Sequence, residues 1–446
     1  MLQPAERDTI VAPATPVWPA GVAVVRLSGS QAHTIAQQIT GRPAGHAALL
    51  QFCALTDPRD GLTIDRGYVV FFKAPRSFTG QDVAELQVHG SPAVTDKLID
   101  ACVALGARLA EPGEFTWRAF EAGKLDLVQV EALADLIAAQ SETQRLTALQ
   151  QLDGGLSAQI AKLRAPLLAA LAQVEARLDF AAEPHLAHLD PAPLLADLAE
   201  LHTKMIELAG TAQAGQVRLR GARVVLFGAP NAGKSTLLNA LVGLDRALVD
   251  PRPGTTRDTL EVQTAPQGVL ITWIDTAGVR EAEDPVERAG TARAQSEVER
   301  ADVVLWCRSA NSKDSDDLPV PRTQAVLLQV ATKTDLGAGP PEQIAVAAPG
   351  GAGVGALRDH VVAVVRELAR GPRSAEVVIS RERHRHALIA AAAGLERARA
   401  GLANGLELEL VAADLHDAAD ELGEMLGTFA TDAVLGAIFS SFCIGK

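Results

Sequence analysis

The chain has 446 residues, 48% of them apolar, which is enough to core two or three domains. With 41 Lys and Arg against 54 Asp and Glu, the formal net charge of -13 excludes a whole-surface basic footprint for nucleic acid, though not a local basic patch. The cysteines, Cys53, Cys102, Cys307 and Cys443, show no CxxC spacing, which argues against a disulfide scaffold or a structural zinc site and suits a reducing cytoplasm. No apolar leader follows Met1 and no charge-free run reaches bilayer length, so the sequence reads as soluble, with no membrane partner.

In chain order, residues 1–120 read as a small α/β unit. Strands are expected at Val22–Leu27, Tyr68–Phe72 and Val83–Val88, and helices at Ala32–Ile39 and Pro92–Leu105. Residues 121–217 change to a helical period, with Leu125, Val128, Leu133, Leu136 and Ile137, then Leu163, Leu167, Leu171, Val174 and Leu178. Gly154-Gly155 reads as a turn between helices. Such Ala- and Leu-rich helices are not stable alone and must pack as a bundle.

Over 218–372 strands and helices alternate again. Val224–Phe227, Val269–Ile274, Val303–Trp306 and Val326–Val330 are apolar runs of the buried parallel type, and Ser309–Arg322 reads as a loop. Residues 373–446 return to helix. The expected fold is multidomain α/β and α: an N-terminal α/β domain, a central helical bundle, and a P-loop α/β domain inserted into that bundle. Two separate bundles would each be thin, and insertion at a surface connection is well tolerated.

The chemistry is most concentrated in the inserted domain. Gly228-Ala229-Pro230-Asn231-Ala232-Gly233-Lys234-Ser235 follows an apolar strand and precedes a helix expected to begin near Thr236. Such a loop turns successive N–H groups and a helix N-terminus toward a phosphate, with Lys234 as a point charge and Ser235 as a magnesium hydroxyl. A chance glycine turn with a surface lysine would not require that strand and helix. Asp275-Thr276-Ala277-Gly278 ends a further strand, where Asp275 can hold magnesium through water and Gly278 leaves its N–H open to a terminal phosphate. Between them, Gly254-Thr255-Thr256-Arg257-Asp258 has the placement of a switch segment, and Thr256 is its best second magnesium hydroxyl.

Thr332-Lys333-Thr334-Asp335 follows another strand. A carboxylate there accepts from the ring N–H and the exocyclic amine of guanine, while the stem of Lys333 covers the base. The segment resembles the NKxD motif of GTPases with Thr332 in place of Asn. That exchange is expected to remove a tie to the phosphate loop and a base contact. Ala347-Ala348-Pro349 occupies the place of the last base loop. Val279, following DTAG, cannot orient water. Arg280, Glu281, Glu283, Asp284, Glu287 and Arg288 are all within reach of a mobile switch, and position alone selects none. The amide oxygen of Asn231 could coordinate a monovalent cation beside the phosphates.

With these motifs, Ser77–Leu86, Pro112–Thr116, Lys124–Leu127 and the final Phe442-Cys443-Ile444-Gly445-Lys446, the chain resembles the TrmE/MnmE family of tRNA-modification GTPases over nearly its full length. The resemblance implies a homodimer formed through the N-terminal domain, with 5-formyltetrahydrofolate or a related tetrahydrofolate bound on Arg26, Glu85, Lys124 and Lys446. It implies GTP and GDP binding with Mg2+ on Ser235 and Thr256. K+ would lie on Asn231 and on the Asp250-Pro251-Arg252-Pro253-Gly254-Thr255 loop, through Asp250, Arg252 and Thr255. Glu287 is then the catalytic glutamate, and Cys443 a candidate for the modification chemistry. An FAD-binding partner of the MnmG/GidA family, which alone carries FAD, and a tRNA substrate modified at C5 of its wobble uridine complete the picture. Two rivals are a GTPase timing ribosome assembly or translation, and a non-hydrolysing nucleotide-binding scaffold.

Overall fold

A computed structural model of the chain describes residues 8–16, 19–44, 48–179, 191–245, 247–248, 260–276, 294–311, 320–371, 377–428, 431–440, 442 and 445. It forms two compact units, residues 1–134 with 423–446, and residues 135–422.

The first unit is built on a six-stranded sheet of order β3-β4-β5-β2-β1-β6, from β1 (Ile10–Pro13), β2 (Ala20–Ser28), β3 (Gln51–Thr56), β4 (Thr63–Phe72), β5 (Val83–Gly90) and β6 (Arg108–Leu109). Alternation along β2 sends Val25 and Leu27 to one face, where α1 (Ala32–Thr40) and α2 (Pro92–Ala104) cover them with Ile35, Ile39 and Leu98. The intervening Arg26 therefore lies on the other face, beside Phe115 of α3 (Glu114–Glu121). At the start of α4 (Leu127–Ala138), Leu127 and Val130 form a second apolar cluster with Leu435 and Phe439 of the last helix and with Phe442. Residues 423–446, which the helical period assigns to the second bundle segment, thus group with the N-terminal unit. The aromatic contacts explain this: the Trp117 and Phe439 rings meet edge to face at 5.0 Å, and any side chain at Gly113 would press on the Phe439 carbonyl.

The second unit carries a seven-stranded sheet of order β13-β12-β11-β7-β10-β9-β8. Its strands are β7 (Ala222–Phe227), β8 (Ala247–Leu248), β9 (Leu260–Thr264), β10 (Ile271–Asp275), β11 (Val303–Ser309), β12 (Val326–Thr332) and β13 (Ile344–Ala345). The four expected strands pair in parallel with one another, while β9 adds an antiparallel edge to β10 and β8 another to β9. Helix α9 (Lys234–Gly243) and α10 (Val354–Arg370) close the sheet's core through Leu237, Leu241, Leu357 and Val361.

The remaining helices are α5 (Glu142–Leu152), α6 (Gly155–Asp179), α7 (Ala192–Ala209) and α8 (Ala212–Arg220) before the sheet, and α11 (Glu382–Ala403) and α12 (Leu408–Leu426) after it. A last helix, α13, spans Asp432–Ser440. Side chains join the two sets: Gln151 Nε2 donates to the Val378 carbonyl at 3.2 Å, the Ile379 amide to Thr211 Oγ1 at 3.0 Å, and Arg381 pairs with Asp135 at 2.8 Å. A Cβ on Gly215 would stand 1.9 Å from the Ile379 carbonyl, so α8 and this segment meet backbone to backbone. Among the described residues no helix is long and apolar enough to cross a membrane.

Candidate functional site

The phosphate loop leaves β7 at Gly228, where a Cβ would lie 2.2 Å from the Cys307 carbonyl; only glycine lets the loop run flat against β11. Asn231 takes a positive φ of 65° and Gly233 one of 85°, the latter as N-cap of α9, which begins at Lys234, two residues before the expected start. The loop thereby curls over the helix N-terminus, the geometry that gathers backbone N–H groups around an anion. Lys234 is only 4% exposed, and its Nζ donates to the Gly228 and Ala229 carbonyls at 2.6 and 2.7 Å. The ammonium thus lies within the loop, with its charge met by carbonyl dipoles. Ser235 and Thr236 sit on the exposed side of the first helical turn, as does Asn231 at the loop's tip.

Asp275 closes β10 in full burial, in register with Leu226 of β7, and the Thr276 hydroxyl donates to the Leu226 carbonyl at 2.7 Å. The carboxylate is therefore carried to the same strand ends as the phosphate loop. Behind the loop, burial pushes the Cys307 thiol up to about 12, so at neutral pH it is a packing group and no nucleophile.

The base loops stand alongside. Thr332 ends β12, and its Oγ1 donates to the Ala232 carbonyl of the phosphate loop at 2.5 Å, with the Arg308 carbonyl at 3.1 Å. The expectation that losing an asparagine here removes the tie to the phosphate loop is corrected: the hydroxyl makes it. Lys333 has a φ of 57°, and its Cε lies 3.7 Å from where a Cβ on Gly233 would stand, so its stem borders the loop. The Leu336 amide donates to the Lys333 carbonyl at 2.9 Å, closing a turn that leaves Asp335 exposed. Beside it the Thr334 amide reaches the Val346 carbonyl at 3.3 Å. Ala347 then pairs with the Ala352 carbonyl at 2.9 Å, and Ala348–Gly350, which includes Pro349, forms a short 3-10 turn.

A second group of candidates lies in the N-terminal unit. Arg26 and Glu85 are register partners on β2 and β5, joined by an ion pair of 2.8 Å, each about one-fifth exposed at 22% and 19%. The Arg26 guanidinium lies 5.8 Å from the ring centres of both Phe78 and Phe115. The exposed Lys124 borders Gly80 of the same 77–82 loop. A Cβ on Gly445 would fall 1.9 Å from the Pro13 carbonyl, so the chain's end lies on β1 one register step from the Ala12–Arg26 pair. Phe78, Phe115 and Gly445 stand within the quoted motifs, but their meeting at Arg26 and β1 escapes sequence reasoning, since a motif does not show which residues the sheet brings together.

Behind this face Arg118, 2% exposed, donates to Asp8 at 2.7 Å, to Glu114 at 2.9 Å and to Gln81 at 2.9 Å. Burial would raise the Glu114 carboxyl, but hydrogen bonds from Arg108, the Glu111 amide and Arg118 outweigh it and hold it below its ordinary value.

Asp250, Pro251, Arg252, Pro253, Gly254, Thr255, Thr256, Ala277, Gly278, Val279, Arg280, Glu281, Glu283, Asp284, Glu287, Arg288, Cys443 and Lys446 lie outside the described residues.

Residues 9–124 match the family model described as the GTP-binding protein TrmE N-terminus, and residues 127–443 match the MnmE helical domain. The chain is 42% identical over 446 residues to the tRNA modification GTPase MnmE of Parvibaculum lavamentivorans, covering 98% of this chain and 100% of that one. It is 43% identical to that of Laribacter hongkongensis (98% and 99% covered) and 41% identical to that of a Thermus thermophilus strain (99% of each). By two family models that between them span nearly the whole chain, and by full-length identity above two-fifths, the chain belongs to the MnmE (TrmE) family of tRNA modification GTPases.

Proposed function

We propose that the chain is a potassium-dependent GTP hydrolase that works with an FAD-binding partner of the MnmG/GidA family. Together they would add an aminomethyl or carboxymethylaminomethyl group to C5 of the wobble uridine of certain tRNAs, using a folate one-carbon unit. The observation that carries this reading is the convergence of a curled phosphate loop, its enclosed Lys234, the buried Asp275 and the TKTD loop at the ends of β7, β10 and β12. The full-length likeness to tRNA modification GTPases supplies the substrate class.

GTP would bind along Gly228–Thr236, drawing Lys234 Nζ from the loop carbonyls to the outer phosphates. Asp335 would accept from the guanine N–H groups while Lys333 covers the ring. The loop fits a cation-assisted phosphate site: Ser235 and Asn231 are exposed around a curled backbone, and Asp275 stands at the neighbouring strand end. Ser235 and Thr256 would hold magnesium, and Asn231 with Asp250, Arg252 and Thr255 would hold potassium. Bound there, the ions supply positive charge against the charge that develops between the β- and γ-phosphates. Glu287 would position the attacking water, which Val279 cannot, with Arg280 the next candidate.

In the N-terminal domain, Arg26, Lys124 and Lys446 suit the carboxylates of 5-formyltetrahydrofolate, and Glu85 suits its pterin N–H groups. The partly exposed Phe78 ring beside Arg26 offers an apolar wall for a flat heterocycle, while Phe115 is buried and supports Arg26 from the core side. Cys443 is the candidate for the modification chemistry. The same reading makes the protein a cytoplasmic homodimer joined through residues 1–120, with the GTPase domain (218–372) inserted between helical segments 121–217 and 373–446, of which 423–446 group with the N-terminal unit. Hydrogen bonds from Gln151 of α5 to Val378 and from the Ile379 amide to Thr211, the N-cap of α8, support that insertion.

The test is nucleoside analysis of tRNA incubated with the chain, its partner, folate and GTP. The reading expects a new substituent at C5 of the wobble uridine that requires GTP. Steady GTP hydrolysis with no modified uridine would favour a ribosome-assembly or translation role. The Thr332 hydroxyl still fastens the base loop to the phosphate loop, which weighs against a non-hydrolysing scaffold.

A further inference from the structure

We infer that Thr332 is a positioning residue that fastens the base loop to the phosphate loop, and that guanine N7 goes unread in this protein. The inference rests on the guanine-nucleotide reading above and deepens it. A threonine hydroxyl has one proton, whereas an asparagine amide has two. In Thr332 that proton faces two backbone carbonyls, Ala232 at 2.5 Å and Arg308 at 3.1 Å, both belonging to the protein. The residue is 3% exposed and Ala232 4%, so the bond is internal and water does not compete for it. No second proton is left for a base. The third substituent of Cβ is a methyl group, which cannot donate.

The placement makes the tie mechanical. Thr332 is the last residue of β12, held in register opposite Ser309, and its own carbonyl accepts from the Ala310 amide at 2.8 Å. Ala232 immediately precedes Gly233, the N-cap from which α9 presents Lys234 and Ser235. The hydroxyl therefore bolts the rigid strand end that orients Lys333 and Asp335 to the loop that would grip the phosphates. Base selection then falls to Asp335 at the Watson–Crick edge, and Thr332 sets how firmly the two halves of the nucleotide site are held together.

The experiment compares GDP, 7-deaza-GDP (a C–H in place of N7) and ADP by equilibrium competition on the full chain, with stopped-flow release rates. The unmodified protein should bind 7-deaza-GDP within about twofold of GDP, since no hydrogen bond to N7 is lost. Thr332→Val should release GDP and 7-deaza-GDP alike about tenfold faster, and Thr332→Ser should restore the parent rate. Rejection of 7-deaza-GDP by fivefold or more would show that N7 is read. A parent-like release rate for Thr332→Val would show that the hydroxyl fastens nothing. Either result overturns the inference while GDP selectivity stands; equal binding of GDP and ADP would instead remove the guanine reading beneath it.

Discussion

The nucleotide loops and the N-terminal charged pair are two ways of building a binding face. In the second unit, one contiguous stretch, Gly228–Ser235, curls by its own backbone, and its key cation is met by carbonyls five and six residues away. In the first, Arg26 meets Glu85 across 59 residues of sequence, and Phe78, Lys124 and Gly445 arrive from three further segments. A backbone-built site is written locally and survives any fold that supplies a strand before it and a helix after it. A side-chain-built site exists only once a sheet has set its register, so its stability and its chemistry rise and fall together.

That contrast can be broken at its weakest point, the buried ions behind the N-terminal face. Arg118→Met takes one of two arginines from Glu114 and Asp8, which both keep Arg108, and should cost about 2–3 kcal/mol, read as an early thermal transition, with GTP binding persisting below it. Glu287→Ala should lower turnover ~100-fold or more with GTP affinity nearly intact, while Glu281→Ala and Glu283→Ala change it little. Comparable losses at all three would return the choice to Arg280.

Asp335→Asn should exchange guanine for xanthine preference by about tenfold or more in calorimetry, because the amide donates where the carboxylate accepts. Gly445→Ala adds a Cβ that collides with the Pro13 carbonyl. It should weaken 5-formyltetrahydrofolate binding several-fold, about 1 kcal/mol, and leave GTP binding unchanged. Unaltered folate binding would remove the chain's end from that site.

Acid provides the gentlest probe. Asp8 and Glu114 are both held low: in each, burial works upward and the arginine contacts prevail. Carboxylates lowered by folding stabilise the native state above their ordinary range and lose that contribution as pH falls through the lowered values. The N-terminal unit should therefore show a falling melting temperature below about pH 4.5. A melting temperature that rises on acidification would contradict the assigned sign.

The same contrast governs what the sequence makes legible. β2, α1, β5, α2, β7 and β11 start within about two residues of their expected places because their apolar periods are strong. Strand β3 escapes notice as a sheet edge whose Phe52 is 57% exposed against a buried Cys53, inverting the usual size preference. Strands β1 and β6 span four and two residues, too short to show a period. Thr332 shows the limit of motif reading from the other side. Comparison with NKxD registers a missing amide, while the geometry supplies a hydroxyl bond in its place.

If the assembled loops form a working GTPase centre, the full chain turns over GTP repeatedly. Multiple-turnover phosphate release by the full chain, in potassium and then in sodium at equal ionic strength, tests that most directly. Sustained GTP turnover, clearly faster in potassium, is expected; GTP bound tightly in potassium yet not hydrolysed beyond a single turnover would contradict a potassium-dependent hydrolase.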